Sequence, residues 1–557
     1  MIFEGSRKAA GGRSRNRMAL TMVLFVVIYG AIGAKLVYLG SQDVAAERGP
    51  VVRPTVSRPD IVDRNGDLLA TDVKTFSLFA EPRRIIDPDE TIEKLSTVLT
   101  DLDFAETYRR LDSDRGFVWL RRQLTPRQKS DILGLGLPGI NFRSETRRFY
   151  PSGPTASYII GLTNLDNKGI SGLEKYIDDQ GLADLQSLGL ATGSNLVPIG
   201  LSIDLRVQHI VRDEALKAME KFRAKAAGAV VINAKTGEIV AMSSVPDFDP
   251  NNPVDAHKPD KLNRMSAGLY EMGSTIKSFT TAMALDSGKV DLSSKFDASR
   301  PIRIGRQTIR DFHGKNRILT VPEVFIYSSN IGSAREADVV GIEGHRDFLK
   351  RIGLLDRTPT ELPEVAMPME PKVWKKVHSI TAAFGHGFST TPLQTAVGVV
   401  ALMNGGRLMP PTFFPRTREE AIAVSKQAVS AQTSRDMRYL YRLNATAPGG
   451  SGKRGTVPGF RVGGKTGTAE KVVDGRYSKD KNFNAFVAAF PIDDPQYVVL
   501  TIIDEPKREN SNRAATAGFS AAPIAANIIR RAALLLGVKP TFDAETGVGH
   551  PLSYGLQ

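Results

Sequence analysis

Between Met18 and Ala34 the chain is apolar apart from Thr21, and beyond Lys35 the run Leu36-Val37-Tyr38-Leu39 extends that stretch. The total reaches the roughly 20 residues that a helix needs to span a bilayer. Arg7, Lys8, Arg13, Arg15 and Arg17 precede it. A basic flank stays cytoplasmic by the positive-inside rule, and Lys35 would snorkel toward the far interface. The sequence therefore predicts a cytoplasmic tail over 1–17, one uncleaved transmembrane anchor over 18–39, and an extracytoplasmic remainder. A cleaved signal peptide is the competing reading, since Ala31, Gly33 and Ala34 are small enough for a peptidase. The apolar stretch is long for the core of such a peptide.

The rest has the composition of a globular protein, 41% hydrophobic and 24% charged, and 557 residues exceed one ordinary domain, so two or three folded units are expected. There is no cysteine, which excludes disulfides, thiolate catalysis and cysteine metal sites. Seven scattered histidines without H-E-x-x-H give no zinc-hydrolase pattern, and no metal is expected. The five N-terminal bases less Glu4 supply +4 of the net charge of +14, and no basic-aromatic cluster stands out elsewhere. That balance describes a solvated basic surface, not a nucleic-acid interface.

After the anchor, Val51 to Pro59 reads as an extended linker, and Asp63-Arg64-Asn65-Gly66-Asp67 as a turn between strands. Thr91 to Arg122 carries helical periodicity with many charges, and Gly134–Gly139 and Tyr150–Pro154 punctuate like loops. From Leu201 the texture changes. An amphipathic stretch, Leu205 to Phe222, is followed by apolar runs at 229–232 and 238–242 that flank Asn233–Gly237, the signature of a hairpin. Two more strand-like runs, Ala485–Phe490 and Tyr497–Ile503, precede a closing helix at Ala521–Leu536. Strands at both ends with helices between them predict an α+β domain.

Three motifs occur within that region in one order: Ser274-x-x-Lys277, Ser328-x-Asn330 and Lys465-Thr466-Gly467-Thr468. Each pattern also occurs elsewhere, as Ser478-x-x-Lys481, Ser14-x-Asn16 and Lys235-Thr236-Gly237. Context separates them. Ile276, Phe279 and Met283 recur at helical spacing, which places Ser274 at the N-terminus of a buried helix with Lys277 one turn on. Desolvation there disfavours the ammonium and leaves an amine able to act as base, while free helix N–H groups stabilise an oxyanion. Ser328-Ser329-Asn330 follows apolar Val324-Phe325-Ile326 and reads as a turn that delivers a proton relay, Ser328, and a donor for a substrate amide, Asn330. Lys465 to Thr468 follows Gly463-Gly464 and precedes strand candidates, which suits a sheet edge that an extended peptide joins while lysine and hydroxyls grip its carboxylate. By contrast Lys235-Thr236-Gly237 sits in a hairpin turn, and Ser478-x-x-Lys481 in a charged loop. The ordered set predicts acyl transfer through a serine ester.

These residues resemble the penicillin-binding protein and serine β-lactamase superfamily, and within it the class B penicillin-binding proteins. The likeness covers nearly the whole chain. It includes Arg58-Pro59-Asp60-Ile61-Val62-Asp63-Arg64-Asn65-Gly66, Arg148-x-Tyr150-Pro151, Gly172-Leu173-Glu174, Leu201-Ser202-Ile203-Asp204 with Gln208, Tyr270-Glu271-x-Gly273-Ser274, Asn404-Gly405-Gly406 and Asp504-Glu505-Pro506. Pro59, Ser157 and Met272 depart from the residues usual in the family and leave every catalytic group in place. Length and the short tail resemble the septal, cell-division type.

The resemblance implies an extended β-rich pedestal of the dimerisation type over 40–200, a transpeptidase domain over 201–545 with an antiparallel sheet packed between helices, and a tail over 546–557. It implies that Ser274 attacks the peptide bond between the terminal D-alanines of a peptidoglycan stem, assisted by Lys277. Ser328 relays a proton, Lys465, Thr466, Gly467 and Thr468 orient the carboxylate with Asn330 on the peptide, and the N–H groups of Ser274 and Thr468 form the oxyanion hole. An amino group of a second stem then resolves the acyl-enzyme, with no cofactor. Implied partners are stem peptides, nascent glycan strands, β-lactams, a SEDS-family glycan polymerase and other division proteins, at the septal inner membrane. The alternatives are a D,D-carboxypeptidase or β-lactamase, and a membrane-anchored β-lactam sensor or scaffold without turnover.

Overall fold

The computed structural model describes residues 19–20, 22–35, 58–181, 196–305, 307–473, 475–508 and 516–541. The tail over 1–17 with its Ser14-x-Asn16, residues 36–57 and the C-terminal tail lie outside these. Residues 22–35 are helical and largely exposed, and among the described residues no helix is long and apolar enough to cross a membrane. The described residues form two compact units, one containing 75–145, the other containing 58–74 and the described residues from 146 to 541.

In the first unit Asp87 and Asp103 cap helices Pro88–Ser96 and Phe104–Leu111, each carboxylate accepting N–H groups of the first turn. The helical periodicity expected through Arg122 stops at Leu111. Val118–Leu124 is a strand, paired antiparallel to residues 76–80 with Trp119 opposite Phe79. Pairing and alternate burial of Val118, Leu120 and Leu124 in a core with Leu78, Leu95 and Leu111 outweigh the local pattern.

The second unit contains a buried ion network. Arg58 pairs with Glu174 (2.7 Å) and Asp178 (2.5 Å), while Arg148 pairs with Glu174 (2.6 Å) and Asp72 (3.1 Å). The guanidiniums also donate to the carbonyls of Glu174 and Pro59, so segments distant in sequence meet on the fully buried Glu174.

Its centre is a five-stranded antiparallel sheet. β1 (Ala226–Asn233) and β2 (Ile239–Val245) form the expected hairpin, with Gly237 at φ +74° in the turn. β3 (Gly463–Val473), β4 (Arg476–Phe490) and β5 (Tyr497–Asp504) complete the order β3-β4-β5-β1-β2. Alternation divides the sheet cleanly. Ala227, Ala229, Val231, Phe486, Ala488 and Val499 face helices α1 (Leu205–Lys221) and α7 (Ala521–Ala532). Val230, Ile232, Ala485, Val487, Val498 and Leu500 face a helical layer that includes α2 (Lys277–Asp286), α3 (Val321–Ile326), α4 (Asn330–Val340), α5 (Pro392–Met403) and α6 (Ala431–Thr446). The fold is mixed α+β with antiparallel sheets.

Removing one member of a buried ion pair leaves the others desolvated and unpaired. Glu174→Ala is therefore expected to lower stability by about 3–5 kcal/mol, read as a reduced denaturation midpoint of the second unit.

Candidate active site

Register explains why Lys465 enters the helical layer. It lies opposite Val487 on β4, which lies opposite Leu500 on β5, which lies opposite Val230 on β1. Directly opposed residues share a face, and Val487, Leu500 and Val230 all face the helices. The Lys465 side chain is fully buried and donates to Ser328 Oγ at 3.0 Å.

Lys277 arrives at the same hydroxyl from the other side. It opens α2, is 1% exposed, and donates to both Oγ (3.1 Å) and the carbonyl oxygen of Ser328. Ser328 lies in the turn between α3 and α4 with φ +53°, a left-handed conformation that a serine rarely adopts. That conformation turns carbonyl and hydroxyl toward one ammonium. The turn is braced by Ser329, which donates to Asp311 (2.7 Å) and accepts the Gly332 N–H, while the Ile331 N–H donates to Asp311. Asn330, the first residue of α4, donates through Nδ2 to the Arg310 carbonyl.

Both lysines are pushed below the ordinary range by burial. Lys277 is pushed down to about 7, against the opposing charges of Asp311 and Glu336. Lys465 is pushed well down, and the charge of Lys277 adds to the effect. Glu336 of α4 is itself buried and pushed up to about 8, with Thr281 of α2 donating to it at 3.0 Å.

Ser274 sits in a 3-10 turn, Gly273–Thr275, that runs through Ile276 into α2, so the expected helix start is one tight turn followed by the helix. The turn is pressed onto β3. A Cβ on Gly467 would lie 2.5 Å from the Met272 carbonyl oxygen and 2.9 Å from the Thr275 nitrogen. A Cβ on Gly273, whose φ is +53°, would lie 2.7 Å from the Thr468 carbonyl oxygen. The strand and the serine turn therefore touch backbone to backbone.

Thr466 and Thr468 alternate with Lys465 and Gly467 and project from the other side of the strand. Thr466 donates to Ser451 Oγ (2.8 Å), and Ser451 N–H donates to Asn444 Oδ1 at 3.1 Å. Thr468 Oγ1 accepts the Ala517 N–H (3.1 Å). No local sequence signal marks Ser451, Asn444, Asp311 or Glu336, because each reaches the site only through folding. The two described decoys fall elsewhere. Lys235 pairs with Asp494 at the hairpin turn. Ser478 and Lys481 lie in strand β4, not in the expected loop, because the hairpin continues there with Ser478 opposite Lys471.

Models of the penicillin-binding protein transpeptidase domain and of the penicillin-binding protein dimerisation domain match residues 227–530 and 54–182. The chain is 38% identical to the probable peptidoglycan D,D-transpeptidase FtsI of Caulobacter vibrioides, over 99% of this chain and 94% of that one. It is 32% identical to the probable peptidoglycan D,D-transpeptidase PenA of Neisseria meningitidis, over 95% and 94%. With the peptidoglycan D,D-transpeptidase FtsI of Escherichia coli it shares 30% identity, over 82% and 80%. The chain belongs to the penicillin-binding protein transpeptidase family.

The contact between β3 and the serine turn leaves no room for a methyl group. Gly467→Ala is expected to cost about 1–3 kcal/mol through overpacking, measured by denaturant unfolding.

Proposed function

We propose that this chain is a class B, septal peptidoglycan D,D-transpeptidase that cross-links stem peptides through an ester on Ser274. The convergence of Lys277 and Lys465 on the hydroxyl of Ser328, beside the turn that carries Ser274, supports this reading most strongly. It provides a base, a relay and a lysine donor for an anionic terminus at one buried hydroxyl. The relatives named as peptidoglycan D,D-transpeptidases support the substrate class.

Lys277, neutral, takes the Ser274 hydroxyl proton as Oγ attacks the carbonyl carbon between the two terminal D-alanines. The N–H groups of Ser274 and Thr468 stabilise the oxyanion, where preorganised donors cost no reorganisation during reaction. The proton passes through Ser328 Oγ to the departing D-alanine amine as the C–N bond breaks. Lys465 pairs with the terminal carboxylate. Thr468 Oγ1 accepts the Ala517 N–H, which leaves its hydroxyl proton to donate to the same carboxylate. Thr466 stands beside it, held by the bond that its hydroxyl donates to Ser451 Oγ, and Gly467 lets the strand lie against the serine turn. Asn330 binds the stem amide. An amine of a second stem then displaces Ser274, and β-lactams acylate the same serine.

Residues 18–39 form a single anchor in the inner membrane, after a cytoplasmic tail over 1–17. The pedestal spans 40–200, the transpeptidase domain 201–545 and the C-terminal tail 546–557. The catalytic domain acts outside the membrane at the division septum with nascent glycan strands, a SEDS-family glycan polymerase and other division proteins.

Fluorescent penicillin is expected to label the protein covalently. Ser274→Ala removes the label and Ser478→Ala keeps it; labelling that persisted in Ser274→Ala would overturn the assignment. Cross-linked product formed from lipid-linked substrate, with a glycan polymerase present, separates a transpeptidase from a sensor or hydrolase.

The pH dependence follows from Lys277. Below about 7 it carries the proton and is no base; above it the amine is free. The acylation rate is expected to rise with pH through that value and then level off. Lys277→Arg, charged at every pH, is expected to lose on the order of 10²-fold or more in rate.

A further inference from the structure

One polar cluster beside the serine turn has no part in the acylation step just described. Glu271 lies three residues before Ser274. Its Oε1 accepts the Gly387 N–H (2.8 Å) and the Tyr477 hydroxyl (3.1 Å), whereas its Oε2 is buried with no hydrogen-bond partner. His386 precedes Gly387, and its Nδ1 is likewise buried and unpartnered. The imidazole lies 5.6 Å from the Tyr477 ring in an edge-on arrangement. The same loop presses on the serine turn, since a Cβ on Gly385 would lie 2.1 Å from the Gly273 carbonyl oxygen. Two buried polar atoms without partners thus belong to two segments that both adjoin the serine turn.

The electrostatics of this cluster are opposite to those of the lysine pair. Burial pushes His386 below its ordinary range, as does the charge of Lys277, against the Phe384 carbonyl and Glu470. Burial pushes Glu271 up, against the Gly387 N–H and the Tyr477 hydroxyl. A neutral imidazole therefore stands with two carboxyl groups, Glu271 and Glu470, nearby. Lys277 and Lys465 suit an anionic donor terminus; this side suits a cation.

We propose that Glu271 and His386 form the acceptor site, with the Glu271 carboxylate binding the aliphatic ammonium of the second stem and His386 Nδ1 taking its proton. The proposal rests on the transpeptidase reading above. In the tautomer protonated on Nε2, Nδ1 holds a free lone pair. The ammonium gives one proton to Nδ1, and the neutral amine attacks the carbonyl carbon of the Ser274 ester. The C–N bond forms and the C–Oγ bond breaks. The second amine proton goes to Ser274 Oγ through Lys277, and the imidazolium releases its proton to solvent.

The test uses the full chain in detergent, a D-alanyl thioester donor, and D-alanine as amine acceptor, with acyl transfer and penicillin acylation measured side by side. Glu271→Gln and His386→Gln are each expected to lower the ratio of transfer to acylation at least about tenfold. Glu271→Gln also raises the acceptor KM, and His386→Gln removes the acid limb of the transfer pH profile. An unchanged ratio in either variant overturns the proposal, and so does a parallel fall in acylation and transfer, which marks a structural effect. If circular dichroism shows a variant unfolded, Glu271→Asp or His386→Asn replaces it under the same criteria. Failure of the wild-type chain to be acylated at Ser274 would instead sink the transpeptidase reading.

Discussion

Two lysine amino groups share one serine hydroxyl in the interior of the second unit, and much of the surrounding architecture serves to hold them there. Lys277 and Lys465 are both buried, and each donates to Ser328 Oγ. Burial is unfavourable to the charged form of both and lowers their proton affinity, and the charge of Lys277 lowers that of Lys465 further. The cost is offset by rigid surroundings. Tyr441 of α6 donates to Ser278 of α2 at 2.7 Å, Thr281 ties α2 to Glu336 of α4, and Asp311 fixes the turn that presents Ser328. A burial that would be a defect in a core yields here an amine that is free near neutral pH.

The second constraint is steric. The serine turn and β3 approach so closely that Gly273 and Gly467 have no space for a side chain. This approach fixes the serine turn against the strand that carries Lys465. Alternation along β3 then sends Lys465 toward the helices and the threonines to the other side. One strand thereby contributes a buried lysine and two hydroxyls to different sides of the same edge.

Much of the fold was legible from pattern alone. The hairpin around Lys235–Gly237, the strands near residues 485–503, α1 and α7 all appear close to where periodicity and turn residues place them. Local pattern fails where pairing with a distant strand decides. Val118–Leu124 continues a helical pattern in sequence yet pairs with residues 76–80. Ser478 and Lys481 have the charge of a loop, but the extended β3–β4 hairpin takes them up. Neither partner is visible in a local window. The network around Glu174 has the same character, because Arg58 and Arg148 read as separate motifs until folding joins them on one carboxylate.

The sequence by itself determined the order of the three motifs, the helical spacing that sets Ser274 and Lys277 one turn apart, and the strand character of Lys465 to Thr468. These are local properties, written in residue type and period. Only the tertiary structure decided that Lys277 and Lys465 meet on one hydroxyl, that Ser328 adopts a left-handed conformation to receive them, and that Glu271 and His386 stand beside the same serine turn. Proton affinity and steric reach arise from burial and from contacts across roughly 50 to 140 positions of chain, and no local pattern encodes these.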